Sequence, residues 1–132
     1  MRLISVALCA WAVMVGQASA KTYLCNVETN PSQWGYITDV YAFDVDEKAK
    51  TVVVDDGVIE YFHKGPIAAF SPNITATKIT FNWDLFALNG SGQRAKLSYR
   101  AVVFLRDMTI RISMRPIGYV DDFEGYGTCK AK

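Results

Sequence analysis

The chain has 132 residues, 14 Lys and Arg against 13 Asp and Glu, a net charge of +1, and 51% hydrophobic residues. That balance lacks the basic excess of a general nucleic-acid binder, so nucleic acid is not an expected partner. The length suits one domain and is too short for two.

The start of the chain reads as an export signal. Met1-Arg2 is a short positive region, Leu3 through Val15 is almost wholly apolar, Gly16-Gln17 breaks the run, and Ala18-Ser19-Ala20 has the form of an A-x-A cleavage site. Residues 1–20 are therefore expected to be a removable signal peptide and residues 21–132 a single secreted or periplasmic domain. A buried N-terminal helix is the alternative, but the small-residue exit site at the right distance argues against it. The run is shorter than the about 20 residues a membrane-spanning helix needs. Cys9 follows the large Leu8 inside the run, whereas a lipobox cysteine follows a small residue at its end. A free protein with no stable membrane anchor after cleavage is expected. Loss of Arg2 brings the domain close to zero net charge.

Two cysteines then remain, Cys25 and Cys129. In an oxidising compartment such an isolated pair is expected to form a disulfide. Closing a loop of about 100 residues is worth roughly 4–5 kcal/mol in the chain-entropy account. Two distant cysteines and one histidine, His63, do not make a four-ligand zinc set, and no cofactor is implied.

Along the mature chain no helical periodicity is sustained. Two-residue alternation recurs between turn signals spaced about ten residues apart, which predicts an all-β antiparallel meander. A short strand covers 22–27, Asn30-Pro31-Ser32 is a turn, and 36–46 is a longer strand with Tyr41, Phe43 and Val45 on one face. Glu47 to Lys50 is a polar loop, and 51–55 returns as a strand. Asp56-Gly57 reads as a tight hairpin, pairing Val54 with Ile59 and Val52 with Tyr61. Across the preceding loop Val45 meets Val52 and Phe43 meets Val54.

Gly65-Pro66 interrupts the next run, and Ser71-Pro72-Asn73 is a further turn. Ile79, Phe81 and Trp83 then alternate with Lys78, Thr80, Asn82 and Asp84. After the flexible Asn89 to Gly92, the residues Ala95, Leu97, Tyr99, Ala101 and Val103 alternate with a polar set. Arg106-Asp107 is read as a two-residue turn that places Val103 opposite Ile110, Ala101 opposite Ile112 and Tyr99 opposite Met114. Pro116 ends that strand, and the Gly- and Asp-rich tail from Tyr119 must bring Cys129 back to Cys25. About eight strands result. A small barrel is expected, with a two-sheet sandwich as the alternative; a disulfide between terminal strands favours the barrel.

Outward charges are split between two regions. Asp44, Asp46 and Glu60, with Asp55, Asp56 and Glu47 at turns, fall on the early hairpins. Arg94, Lys96, Arg100, Arg111 and Arg115 fall on the later one. Arg100 lies opposite Ser113 and Arg115 opposite Ser98, so the arginines are diagonal neighbours with no carboxylate between them, and Asp84 can offset Lys96. Like charges so placed repel unless compensated. An ordinary solvated face accounts for them. So does a site for an anionic ligand or acidic protein, to which the planar guanidinium is suited. Head-to-tail self-association is a third reading.

Catalytic signals are sparse. His63 sits beside Lys64-Gly65-Pro66 at a strand end, without a nucleophile motif nearby. Asp121-Asp122-Phe123-Glu124 lacks the spacing of a calcium loop. Asp44 and Asp46 share a solvent face, where a raised pKa is not expected. Trp34, Tyr36 and the Tyr119–Tyr126 tail fall in expected loops that, converging at one barrel end, would make an aromatic rim for a small ligand. Asn73-Ile74-Thr75 and Asn89-Gly90-Ser91 match the glycosylation acceptor pattern.

The signal peptide, the Cys25 that follows Tyr23-Leu24 and the closing Gly127-Thr128-Cys129 together resemble the layout of small uncharacterised secreted proteins of Gram-negative bacteria, a match that implies location. The architecture is also similar to that of periplasmic C-type lysozyme inhibitors, small disulfide-closed β-barrels with a Ser-Gly-x-x-Tyr loop. Here Ser91-Gly92-Gln93-Arg94-Ala95 has alanine in place of that tyrosine and no second motif matches, so the resemblance implies an architecture and transfers no inhibitory residue. The leading expectation is a non-catalytic binding module that meets an anionic or protein partner through a basic β-face or barrel end. An envelope structural or stability factor without a ligand site is the alternative. A small-ligand carrier or an enzyme comes third.

Overall fold

Alternation of large apolar and polar side chains makes each half of the chain bury one strand face, and the result is a single rolled sheet. The computed structural model describes residues 20–29, 36–88, 92–118 and 122–132. Within them lie β1 (Ala20–Thr29), β2 (Val40–Asp46), β3 (Thr51–Asp56), α1 (Gly57–His63), β4 (Ile67–Ala68), β5 (Phe70–Ile74), β6 (Lys78–Leu88), β7 (Arg94–Phe104), β8 (Thr109–Pro116) and β9 (Phe123–Ala131). The sheet order is β4-β3-β2-β1-β9-β8-β7-β6-β5, and all pairs are antiparallel. Residues 1–19 of the expected signal peptide and the expected turn at Asn30-Pro31-Ser32 lie outside the described residues, as do Trp34, Asn89, Ser91, Tyr119 and Asp121.

The barrel is nearly closed at its seam by one bent segment. Val53 and Val54 of β3 pair with Ala68 and Ile67 of β4. The Ala69 N–H donates to the Val52 carbonyl at 2.8 Å. The chain then crosses to β6, where Phe70 meets Asn82 and Ile74 meets Ile79. A barrel forms rather than a sandwich because a single continuous sheet runs from β4 to β5, leaving little edge exposed.

Termini meet in the middle of that sheet. β1 pairs with both β2 and β9, and Cys25 stands directly opposite Cys129. The two are joined in a disulfide with Cα atoms 4.0 Å apart. The terminal strand expected to carry Cys129 is β9, which begins as early as Phe123. Gly125 and Gly127 lie in its stretch against β1. A Cβ on Gly127 would overlap the Asn26 carbonyl oxygen, and one on Gly125 would come within 2.6 Å of Val27 Cγ1. Only glycine allows so close an approach.

The interior is filled. Trp83 stacks on Tyr99 at 5.0 Å and on Phe81 at 5.7 Å, and Phe43 packs between Phe81 and Tyr23, each at 5.1 Å. Ile79, Leu85, Leu97, Val103, Ile110, Ile112 and Met114 complete the apolar lining. Registers across the 47–50 loop and between β7 and β8 match the sequence expectation, including Val45 with Val52 and Val103 with Ile110. The β7–β8 connection is four residues long, 105–108, rather than the two-residue Arg106-Asp107 turn. The register is unchanged because pairing merely stops one step earlier.

Asp56-Gly57 is not a hairpin. Asp56 is the N-cap of α1, its carboxylate accepting the Ile59 N–H at 2.7 Å. Lys64 ends the helix in the left-handed region, φ 64°, with Pro66 just beyond. A capping aspartate ahead of a short apolar run nucleates a helical turn, and Val58 and Ile59 bury against the barrel end. Ile59 and Tyr61 therefore pair with no strand, and His63 sits in a helix's last turn. Among the described residues no helix is long and apolar enough to cross a membrane.

Candidate functional site

Register turns the outer face into a grid. One row runs straight across five strands: Phe70, Asn82, Arg100, Ser113, Glu124. The next row toward the α1 end is Asp84, Ser98, Arg115, and the next in the other direction is Thr80, Val102, Arg111, Tyr126. Closer to α1 lie the pairs Phe86 with Lys96 and Leu88 with Arg94. The five basic residues singled out from sequence thus share one face.

Their neighbours differ from expectation. β9 and the residue just before it bring two carboxylates, Glu124 and Asp122, to this face. Arg111 Nη2 donates to Glu124 Oε1 at 2.6 Å, and Arg115 donates from Nε and Nη2 to Asp122 at 2.8 and 3.2 Å. The idea that no carboxylate separates the arginines is corrected for this pair. The hydrogen bond from Arg115 holds the Asp122 carboxyl below its ordinary pKa, and Arg111, then Tyr126, do the same for Glu124. Lys96 meets Asp84 at 3.5 Å, as the spacing had suggested. Arg94 lies over the Phe86 ring at 4.5 Å.

Arg100 is different. It is exposed, and among the described residues no carboxylate pairs with it. Its row partners, Asn82 and Ser113, are neutral hydrogen-bonding groups. A shallow groove of about 380 Å³ passes over it, lined by Phe70, Asn82, Ser98, Arg100, Ser113, Arg115, Asp122 and Glu124. The groove unites Arg100 with Arg115 and leaves Arg94, Lys96 and Arg111 outside its lining. Chemically it offers the Arg100 guanidinium fork with amide and hydroxyl groups beside it, the Asp122 and Glu124 carboxylates of the lining being paired with Arg115 and Arg111; the fork suits a carboxylate or phosphate oxygen.

No protein-family model, curated protein or solved structure matches the chain.

Other sequence candidates are placed as follows. His63 Nδ1 lies 2.9 Å from the Gly65 carbonyl oxygen at the helix end. Asp44 accepts from Thr22 Oγ1 at 2.6 Å, and Asp46 accepts the Lys48 and Ala49 N–H groups at 3.0 Å, so both organise strands and turn. Among the described residues no group of three or more His, Cys, Asp or Glu side chains is placed to hold a metal ion. Of the expected aromatic rim, Phe123 and Tyr126 lie on β9 rather than in a loop, and Tyr36 makes an edge contact with Phe123 at 6.2 Å. Asn73 is exposed on β5.

One polar cluster escaped the sequence reading. Asp56 is buried, and Thr38 Oγ1 donates to it at 2.7 Å. The Thr38 N–H donates to Tyr41 Oη at 3.1 Å. Burial raises the Asp56 carboxyl, with the Ile59 N–H and Thr38 partly opposing. Burial, then the Asp56 charge, pushes the Tyr41 phenol well above its usual range. The sequence signal was an aspartate directly before an apolar run, the pattern of an N-cap.

Proposed function

We propose that the protein is a secreted or periplasmic, non-catalytic binding module that meets an anionic group of a partner protein through the basic outer face centred on Arg100. The observation that carries this reading is the exposed Arg100 guanidinium, free of carboxylate partners among the described residues and lying in a groove among Asn82, Ser98 and Ser113. The Cys25–Cys129 disulfide supports an oxidising location, and the export signal read from residues 1–20 supports the same. A filled barrel favours surface recognition over carriage of a small ligand inside. Inhibition of a C-type lysozyme is one instance of such binding, supported by the small disulfide-closed barrel.

A second reading, an envelope stability factor with no ligand, draws on Arg111 and Arg115, whose charges are answered by Glu124 and Asp122 of the same chain. Titration of the oxidised protein with a hexaglutamate peptide at low salt separates the two. The binding reading expects saturable binding that Arg100→Glu weakens by about tenfold or more, as for a charge-assisted contact. Absence of binding, or binding indifferent to Arg100→Glu, contradicts it.

A further inference from the structure

We propose that the cleft between α1 and the end of β6 takes an anionic lipid, acyl chain against its apolar wall and headgroup on Arg94, so that this barrel end docks on a negatively charged bilayer surface. The outward side chains of β6 are polar at Lys78, Thr80, Asn82 and Asp84, then become apolar at Phe86 and Leu88. That break in alternation is not used by the core. Phe86 is 50% exposed and Leu88 64%. Ile117, 53% exposed, joins them because its N–H bonds the carbonyl of Lys96, which pairs with Phe86. Three large apolar side chains thus project at one end of the barrel, more than scattered surface exposure requires.

Beside them lies a cleft of about 360 Å³, lined by Phe62 and His63 of α1 and by Asp84, Leu85, Phe86, Leu88 and Arg94. Its size falls within the usual range of small-ligand sites. Asp84 is the one carboxylate in that lining, and its charge is answered by Lys96 at 3.5 Å and by Ser98 Oγ at 2.8 Å. Arg94 has no carboxylate partner among the described residues, and its guanidinium carbon lies 4.5 Å from the centre of the Phe86 ring. Charge complementarity therefore selects an anion, and the apolar wall selects an anion that carries hydrocarbon. Few hydroxyl or amide groups line this cleft, in contrast to the Arg100 groove. Apolar side chains flanked by cations are the composition that binds the interface of an anionic membrane.

The test is sedimentation of the oxidised protein with phosphatidylcholine vesicles, with and without phosphatidylglycerol. Binding is expected only with phosphatidylglycerol. Leu88→Asp and Arg94→Glu should each lower it by about tenfold or more, and Arg94→Gln by less. Arg100 lies six residues along β7 from Arg94, about 20 Å away and beyond the roughly 8 Å screening length of physiological salt. Arg100→Glu should therefore leave vesicle binding within about twofold. No binding to phosphatidylglycerol vesicles, equal binding to phosphatidylcholine, or equal loss from Arg100→Glu and Arg94→Glu would each overturn the proposal. Hexaglutamate binding, which reports the Arg100 groove, is read separately on the same variants.

Discussion

Asp56 shows how one residue decides the local fold. Its carboxylate caps α1 and accepts from Thr38 while 8% exposed. Burial raises its pKa in the folded protein. A raised carboxyl favours folding when protonated: that contribution is present below the unfolded pKa and is lost as pH rises through the folded one. Asn keeps the acceptor without the charge, so Asp56→Asn should match or exceed wild-type stability at pH 7, and the advantage should vanish on acidification through the same window. Asp56→Ala, with no cap, should lose about 1–2 kcal/mol. Urea unfolding from about pH 3 to 8, which spans the unfolded Asp pKa of about 3.9, reads both.

At the scale of elements, 57–63 was the place where reading and structure parted. Both hairpin and helix bury Ile59, and both start at the Asp56-Gly57 pair, as a turn in one and as N-cap and first helical residue in the other. They differ at Tyr61, which a strand would turn inward with Ile59 and which α1 leaves 70% exposed. Ile59→Ala should therefore cost about 2–4 kcal/mol, whereas Tyr61→Ala should change stability by less than about 0.5 kcal/mol. Comparable large losses for the two would indicate a strand. Longer elements were legible because each of β2, β3, β6, β7 and β8 alternates over several residues and its turns agree on a register. A terminal strand at Cys129 was expected from the disulfide, but the extent of β9 was not legible, since Gly125 and Gly127 put no side chain where an apolar period would show. Without the start and register of β9, the placement of Asp122 and Glu124 beside Arg115 and Arg111 could not be derived. The basic face was legible, therefore, but its partial neutralisation was not.

For the molecule as a whole, the pairing of β1 with β9 makes the barrel and sets its chemistry together. It aligns Cys25 with Cys129 and carries Glu124 of β9, with Asp122 just before the strand, to the arginine face. Opening the latch frees a loop of about 100 residues, so Cys25→Ser/Cys129→Ser should lower unfolding free energy by roughly 4 kcal/mol in the chain-entropy account. The fold should survive, because β1 and β9 still pair along seven residue positions. Loss of the sheet signal in circular dichroism of that variant would show the latch to be indispensable.

That closure leaves Arg100 as an outward cation whose strand-paired neighbours, Asn82 and Ser113, are neutral and whose nearby carboxylates, Asp122 and Glu124, are answered by Arg115 and Arg111; the proposed recognition runs through it. Backbone amide shifts in a 15N-labelled sample titrated with hexaglutamate test it most directly. The account predicts that Asn82, Ser98, Arg100 and Ser113 shift together along one saturation curve, with the β2–β3 face still. Shifts scattered over the surface, or confined to residues outside that row and its neighbour, would contradict it.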